Sequence, residues 1–229
     1  MRQHVNPLSR FFRLPLVIPP THELFENPEL PIHLDIGSAR GKFLLAMAQS
    51  HTDKNYLGLE IRKPLVLKAD AEREQLGLGN LRFIFCNANV SLEEWLVNIR
   101  NKNLALVSIQ FPDPWFKRRH RKRRVLQPSL LLSIASALKP GRGLFIQSDV
   151  LEIIKPMADL IEITQCFDYL SYSKTKFLQK SCFPMTTERE QFTLDKGLPV
   201  YRAFYQRNKQ TIPKLLDLQK RFDEKVDHL

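Results

Sequence analysis

The chain has 229 residues, 43% of them hydrophobic, and a formal net charge of +11. That length suits a single α/β domain with one substantial core. No apolar run is long enough to span a bilayer, residues 1–8 have no signal-peptide core, and the three cysteines (Cys86, Cys166, Cys182) and six histidines are too scattered for a metal site.

Residues 1–30 carry Pro7, Pro15, Pro19, Pro20 and Pro28, with Arg2, Arg10, Arg13 and the pair Phe11-Phe12. This is expected to be an irregular leader packed on the domain. Its arginines would either touch an anionic partner or belong to an arm that covers a sheet edge. Ile32-His-Leu-Asp-Ile-Gly37 is the first expected core strand. It runs into the turn Gly37-Ser-Ala-Arg-Gly41, and Lys42 to Ala48 then has a helical apolar face. Strand, glycine turn and helix open a nucleotide-type α/β unit. Gly37 and Gly41 let backbone approach a ligand, and the helix N-terminus offers free N–H groups. The spacing is not the dinucleotide fingerprint, but the acid Asp35 stands just before the turn.

Tyr56-Leu-Gly-Leu-Glu-Ile61 is a second strand, with Pro64 near the first turn of the next helix. Glu60 lies 19 residues after Gly41. An acid there is placed to accept hydrogen bonds from ribose hydroxyls. Lys68 to Leu76 is helical in composition, and Gly77 and Gly79 end it. Leu81-Arg-Phe-Ile-Phe-Cys86 is a third strand. Asn87 follows it, placed either to bond the edge of an adenine or to cap the helix from Leu92 to Ile99.

Leu104 to Phe111 is a fourth strand, stopped by Pro112 and Pro114. Asp113 sits between the prolines and Trp115 follows. From Lys117 to Arg124, seven of eight residues are Lys or Arg and the eighth is His120. Without those seven the net charge falls from +11 to +4, so much of the excess is local, which argues for a specific anionic partner. Each part has an ordinary reading: a solvated basic face, a packing tryptophan, a capping aspartate. Together, at the C-terminal end of a buried strand, they suit chemistry on a base within a polyanion.

Val125 to Lys139 is an expected amphipathic helix, ended by Pro140-Gly-Arg-Gly143. Gly143 to Asp149 is a fifth strand, followed by a helix from Glu152 to Glu162. Four strand ends thus carry an acid: Asp35, Glu60, Asp113 and Asp149. In a parallel sheet all four share one rim, where a cation such as a sulfonium would offset their repulsion. Phe167 to Tyr172 and Val200 to Gln206 are expected as paired edge strands. Between them Thr186 to Glu190 is expected as a polar loop, with Glu190 a candidate acceptor for guanine N1–H and N2–H. From Pro213 onward, Leu215, Leu218, Phe222, Val226 and Leu229 fall near one helical face.

Phe111-Pro-Asp-Pro-Trp-Phe-Lys-Arg-Arg-His-Arg-Lys-Arg-Arg124 resembles the P-D-P-W-x-K-x-x-H-x-K-R-R signature of the bacterial tRNA (guanine-N7-)-methyltransferase family. Thr187-Glu-Arg-Glu190 is similar to its T-x-x-E element. The leader Arg2 to Leu8 and the turn Asp35 to Gly41 look most like the cyanobacterial and plant branch. The first acid, usually Glu in that family, is Asp35 here, and Ala39 or Arg40 replaces a usual glycine. The resemblance implies an α/β fold of the Rossmann-like class I methyltransferase type: a mostly parallel twisted sheet with helices on both faces and an antiparallel edge hairpin. The expected division is a leader over 1–30, a methyltransferase domain over 31–206 and a helical tail over 207–229.

The implied activity is methyl transfer from S-adenosyl-L-methionine to guanosine N7 in the variable loop of tRNA. The alternatives are methylation of another RNA, or a non-catalytic RNA-binding subunit. The implied cofactor-binding positions are Asp35, Gly37, Gly41, Glu60, Asn87 and Asp113, with Asp113 also catalytic. Lys117, Asp149, Thr187 and Glu190 match substrate-binding positions. The expected partner is tRNA, its phosphates gripped by Lys117 to Arg124, with no metal and no membrane. A cytoplasmic monomer or homodimer is expected.

Overall fold

The computed structural model describes residues 5–99, 103–170 and 177–227. The leader forms a 3-10 turn over Arg10–Arg13 and a one-turn helix, α1 (Thr21–Leu24). Then follow β1 (Ile32–Ile36), α2 (Lys42–Ser50), β2 (Asn55–Glu60), α3 (Lys63–Gln75), β3 (Leu81–Phe85), α4 (Ala88–Asn98) and β4 (Leu104–Gln110). The second half holds a 3-10 turn over Arg118–Arg123, α5 (Pro128–Ala137), β5 (Gly143–Ser148), α6 (Leu151–Ile163), β6 (Phe167–Tyr169), α7 (Glu188–Asp195), β7 (Tyr201–Arg207) and α8 (Leu215–Asp227).

The strands form one seven-stranded sheet in the order β3-β2-β1-β4-β5-β7-β6. The first five are parallel, and β7 pairs antiparallel with both β5 and β6. The expected hairpin partners do pair, but β7 lies inside the sheet and only β6 is at the edge. Ser171 and Tyr172, expected in that strand, lie outside the described residues. Alternating strand residues serve opposite faces. Tyr56 packs with Phe43, Leu44 and Val66 of α2 and α3, whereas Leu57 and Leu59 join the larger cluster under α4, α5 and α6. Fully burying one such aliphatic side chain contributes roughly 1.5–3 kcal/mol.

Strand order reverses between β1 and β4, which opens a crevice at their C-terminal ends. Two glycines build its edge. Gly41 has φ +73°, and a Cβ there would lie 2.5 Å from the Phe83 ring and 2.8 Å from Ala69. Gly37 has φ +90° and nothing within 4 Å of its absent Cβ.

Several boundaries differ from the sequence reading. α3 begins at Lys63, with Pro64 in its first turn where a missing N–H costs nothing. α4 begins at Ala88 because Asn87 caps it. α5 begins only at Pro128, since the basic run before it is a 3-10 turn. The polar loop expected at Thr186–Glu190 is instead the start of α7. Thr187 Oγ1 accepts from Glu190 N at 3.1 Å, a capping interaction followed by Glu190 in the first turn. The tail helix α8 buries Leu218 completely and packs on α5 and α6. The Val226 side chain, Leu229 and residues 1–4 lie outside the described residues.

Candidate active site at the carboxyl rim of the sheet

A cavity of about 770 Å³, open to solvent, lies at the switch point. Gly37, Glu60, Asn87 and Asp113 line it, as do Arg62, Gln110 and Trp115. Four of the expected cofactor positions therefore converge there. Asp35 and Gly41 do not line it: Gly41 starts α2 behind the wall, and Asp35 lies beneath the floor.

Asp35 is 3% exposed and its Oδ1 accepts from Ser108 Oγ at 2.5 Å and Gln110 Nε2 at 3.0 Å. Burial pushes its carboxyl up to about 6, against the two hydrogen bonds, with a smaller push from Glu60. Ser108 spends its proton on Asp35, so the neighbouring His33 donates to Ser108 from Nε2, at 2.8 Å. Burial, and then the charge of Lys54, lower His33 to about 3, so its ring is neutral.

The raised Asp35 carboxyl has a consequence for stability. Its folded value lies above the unfolded 3.8, so its stabilising contribution is complete below about pH 3.8 and lost as pH rises through about 6. Asp35→Asn is expected to be more stable than the parent at pH 8 by up to about 3 kcal/mol, with the gap closing near pH 4. Urea unfolding at the two pH values measures this; an Asn variant that is weaker at pH 8 would refute it.

Glu60 is also buried, and its oxygens are saturated. Ala39 N and the Arg62 backbone N each donate at 2.9 Å, and the Arg62 guanidinium adds two bonds at 2.9 and 3.1 Å. Glu60 and Asp113 together hold the Arg62 guanidinium above its ordinary value, with Glu60 the larger influence. Arg62 is thus an internal cation between two of the rim acids. Sequence reading passed over it, although an arginine two residues after a rim acid was a usable signal.

Asn87 serves as a cap and as a tether. Its Oδ1 accepts from Asn89 N at 3.2 Å, and its Nδ2 donates to the carbonyls of Pro7 and Phe12, both at 3.1 Å. Ser91 and Trp95, successive positions on the same face of α4, bond Leu16 N and the Pro19 carbonyl. The leader is therefore stitched along α4, and its Val5 and Pro7 form part of the cavity wall. Arg10 and Arg13 remain exposed.

Asp113 stands on the turn after β4. Phe111 enters that turn with φ +47°, a left-handed conformation that costs a bulky residue about 1–3 kcal/mol. Trp115 N donates to the Asp113 carbonyl at 3.0 Å. The cationic run beyond it divides in two. Arg121 pairs with Asp223 of α8 at 3.1 Å, Arg123 stacks 5.0 Å from the Trp115 ring, and Arg124 Nε donates to the Trp115 carbonyl at 3.2 Å. Lys117, Arg118, Arg119 and Lys122 face solvent.

The remaining expected substrate positions gather around α7. Asp149, at the end of β5, pairs with Arg189 and accepts from Thr193 Oγ1 at 3.4 Å. Thr187 caps α7. Glu190 is 1% exposed, with its Oε1 held by Arg202 Nη2 at 2.6 Å and Nε at 3.0 Å, and its Oε2 by Gln147 Nε2 at 3.3 Å. Arg40, in the glycine turn, reaches Glu188 at 3.4 Å and bridges the two sides of the site. Among the described residues no group of three or more His, Cys, Asp or Glu is placed to hold a metal, and no helix is long and apolar enough to cross a membrane.

Residues 29–203 match a protein family described as "Putative methyltransferase". A tRNA (guanine-N(7)-)-methyltransferase of Parasynechococcus marenigrum is 56% identical over 98% of this chain and 95% of its own length. One from Prochlorococcus marinus (strain MIT 9313) is 57% identical over 96% and 93%. Among solved structures, the antibiotic-resistance methyltransferase Kmr superposes with a TM-score of 0.50 over 79% of this chain and 88% of its own, at 15% identity. That likeness concerns the fold.

Proposed function

The chain belongs to the tRNA (guanine-N(7)-)-methyltransferase family, and from that premise we infer that it transfers the methyl group of S-adenosyl-L-methionine to N7 of a guanosine in the variable loop of tRNA. The observation that carries this reading is the convergence of Asp113, Glu60 and Gly37 on one rim cavity beside an exposed cationic turn. The cavity suits this cofactor. It is open beside Gly37, where no side chain intrudes, and its walls carry two acids facing a space that a sulfonium would enter. When bound, the cofactor supplies an electrophilic methyl group.

The chain's own residues do the rest. Guanine N7 has a free lone pair at neutral pH, so no proton must be removed first. Holding N7 in line with the methyl group supplies up to roughly 7–11 kcal/mol in favourable cases. Positive charge moves onto the purine during transfer, and the Asp113 carboxylate stabilises it there. Glu60 would accept hydrogen bonds from the ribose hydroxyls in place of those from the Arg62 guanidinium, while Gly37 and Gly41 shape the turn. Asp35 supports the floor from below through Gln110, and Asn87 holds the leader as a wall.

Lys117, with exposed Arg118, Arg119 and Lys122, grips phosphates. Asp149 and Thr187 place the first turn of α7 against the RNA, and Glu190 anchors that helix from inside. The three cysteines are unpaired, in keeping with work in the cytoplasm.

The test is methyl transfer from labelled S-adenosylmethionine to unmodified tRNA transcripts that carry guanosine or adenosine at the variable-loop position. Label on the guanosine transcript alone, with strand cleavage after borohydride and aniline, is expected. Label on both transcripts would move the target elsewhere. Label on neither would reject the reading.

A further inference from the structure

The cavity floor and the anchor of α7 are joined by a buried row of side chains. β4, β5 and β7 place Gln110, Gln147 and Arg202 directly opposite one another, because Gln110 registers with Gln147 and Gln147 with Arg202. Asp35 registers with Ser108, two residues before Gln110 on the same face of β4. Gln110 Nε2 donates to Asp35, and Gln110 Oε1 accepts from Gln147 Nε2 at 2.7 Å. The second proton of the Gln147 amide points to Glu190 Oε2 at 3.3 Å. Both ends of the row are carboxylates, which when ionised only accept. The two amides therefore have one consistent orientation. Flipping either sets carbonyl against carbonyl or carbonyl against carboxylate.

This arrangement is costly for a sheet interior. Gln147 Oε1 is buried with no hydrogen-bond partner among the described residues, and apolar residues would fill the same row without that penalty. The same two residues also begin the turn that bears Asp113. The Gln147 carbonyl accepts from Phe111 N at 2.8 Å where the chain turns left-handed, and Gln110 lines the cavity beside it.

We propose that Gln110 and Gln147 are positioning residues that couple α7, through Glu190, to the turn carrying Asp113. The register of Asp113 in the cavity then depends on whether α7 is seated. The coupling rests on the methyl-transfer reading given above. It assigns to Gln147 a role in the reaction although the residue touches neither the cavity nor solvent.

The experiment uses the full chain with Gln147→Met and Gln110→Met, singly and together. Methyl transfer to tRNA is followed alongside titration of S-adenosylhomocysteine by calorimetry. Gln147→Met is expected to lower kcat about tenfold, with KM for both substrates and the S-adenosylhomocysteine Kd within about twofold. The double variant is expected to be no slower than the slower single, as members of one row are non-additive. If Gln147→Met does not fold, Gln110→Met breaks the row from the other side and is judged by the same kcat-against-KM split.

Unchanged kcat with a lowered melting temperature would make the row structural only and overturn the proposal. Losses that multiply in the double variant, or that fall on KM or Kd, would overturn it too. A parent enzyme that labels no guanosine fails the functional reading, and the coupling falls with it. An active parent with unaffected variants removes the coupling alone.

Discussion

Asp113→Asn is expected to lower kcat by about a hundredfold or more while leaving tRNA affinity within about twofold. The side chain keeps its size and some hydrogen bonding but loses the charge that faces the developing cation. Asp113 lies in the cavity wall, on a turn stiffened by Pro112, Pro114 and the left-handed Phe111, so its position survives the substitution. Removing it also leaves Arg62 with Glu60 as the stronger of its two anionic influences, so the guanidinium stays in place. Single-turnover methyl transfer and filter binding on the same preparation separate the two effects. A loss of only a few-fold with RNA binding intact would show that Asp113 does not stabilise the transition state. An equal loss in binding would make it a substrate anchor.

Arg202→Met is the second large effect, and it concerns stability. Arg202 and Glu190 are both almost fully buried, and the guanidinium also donates to the carbonyls of Gln179 and Val200. Breaking a buried pair from one side strands the other charge, which costs about 3–5 kcal/mol. For a chain of this size that lowers the melting temperature by on the order of 10 °C. The double variant Arg202→Met with Glu190→Leu is expected to recover most of the loss, because an apolar pair needs no compensation. Thermal melts of the parent, the single and the double variant decide this. A double variant no better than the single would place the cost in the lost carbonyl bonds instead of the stranded Glu190.

The two residues show how far local sequence reaches. Asp113 is conspicuous because prolines, a tryptophan and a cationic run surround it within a few residues. Arg202 is one arginine in a strand, and its importance arises only when β7 lies antiparallel against β5 and sets it opposite Gln147. The rim acids divide in the same way. Their placement at strand ends followed from alternating apolar runs and turn residues. Their partners did not: Arg62 curls back to Glu60 within two residues, Arg189 reaches Asp149 from forty residues away, and Asp35 turns to Ser108 and Gln110 on another strand. Three of these acids have partners from the protein itself: Arg62 holds Glu60, Arg189 pairs with Asp149, and the Ser108 hydroxyl and Gln110 amide bond Asp35.

The sequence by itself determined the order of the seven strands and of the helices after α1 other than α7, the glycine turn, and the turn bearing Asp113 with its basic neighbour. These depend on period, on proline and glycine chemistry, and on charge within a few residues of one another. Tertiary structure alone decided that the leader walls the cavity through Asn87, and that three of the seven run cations turn inward to Asp223 and Trp115. It alone decided that Glu190 is an internal anchor and that Gln110 and Gln147 join it to Asp35. The reason is physical. A buried polar side chain must find a partner, and which partner it finds is set by strand register and packing between residues far apart in the chain.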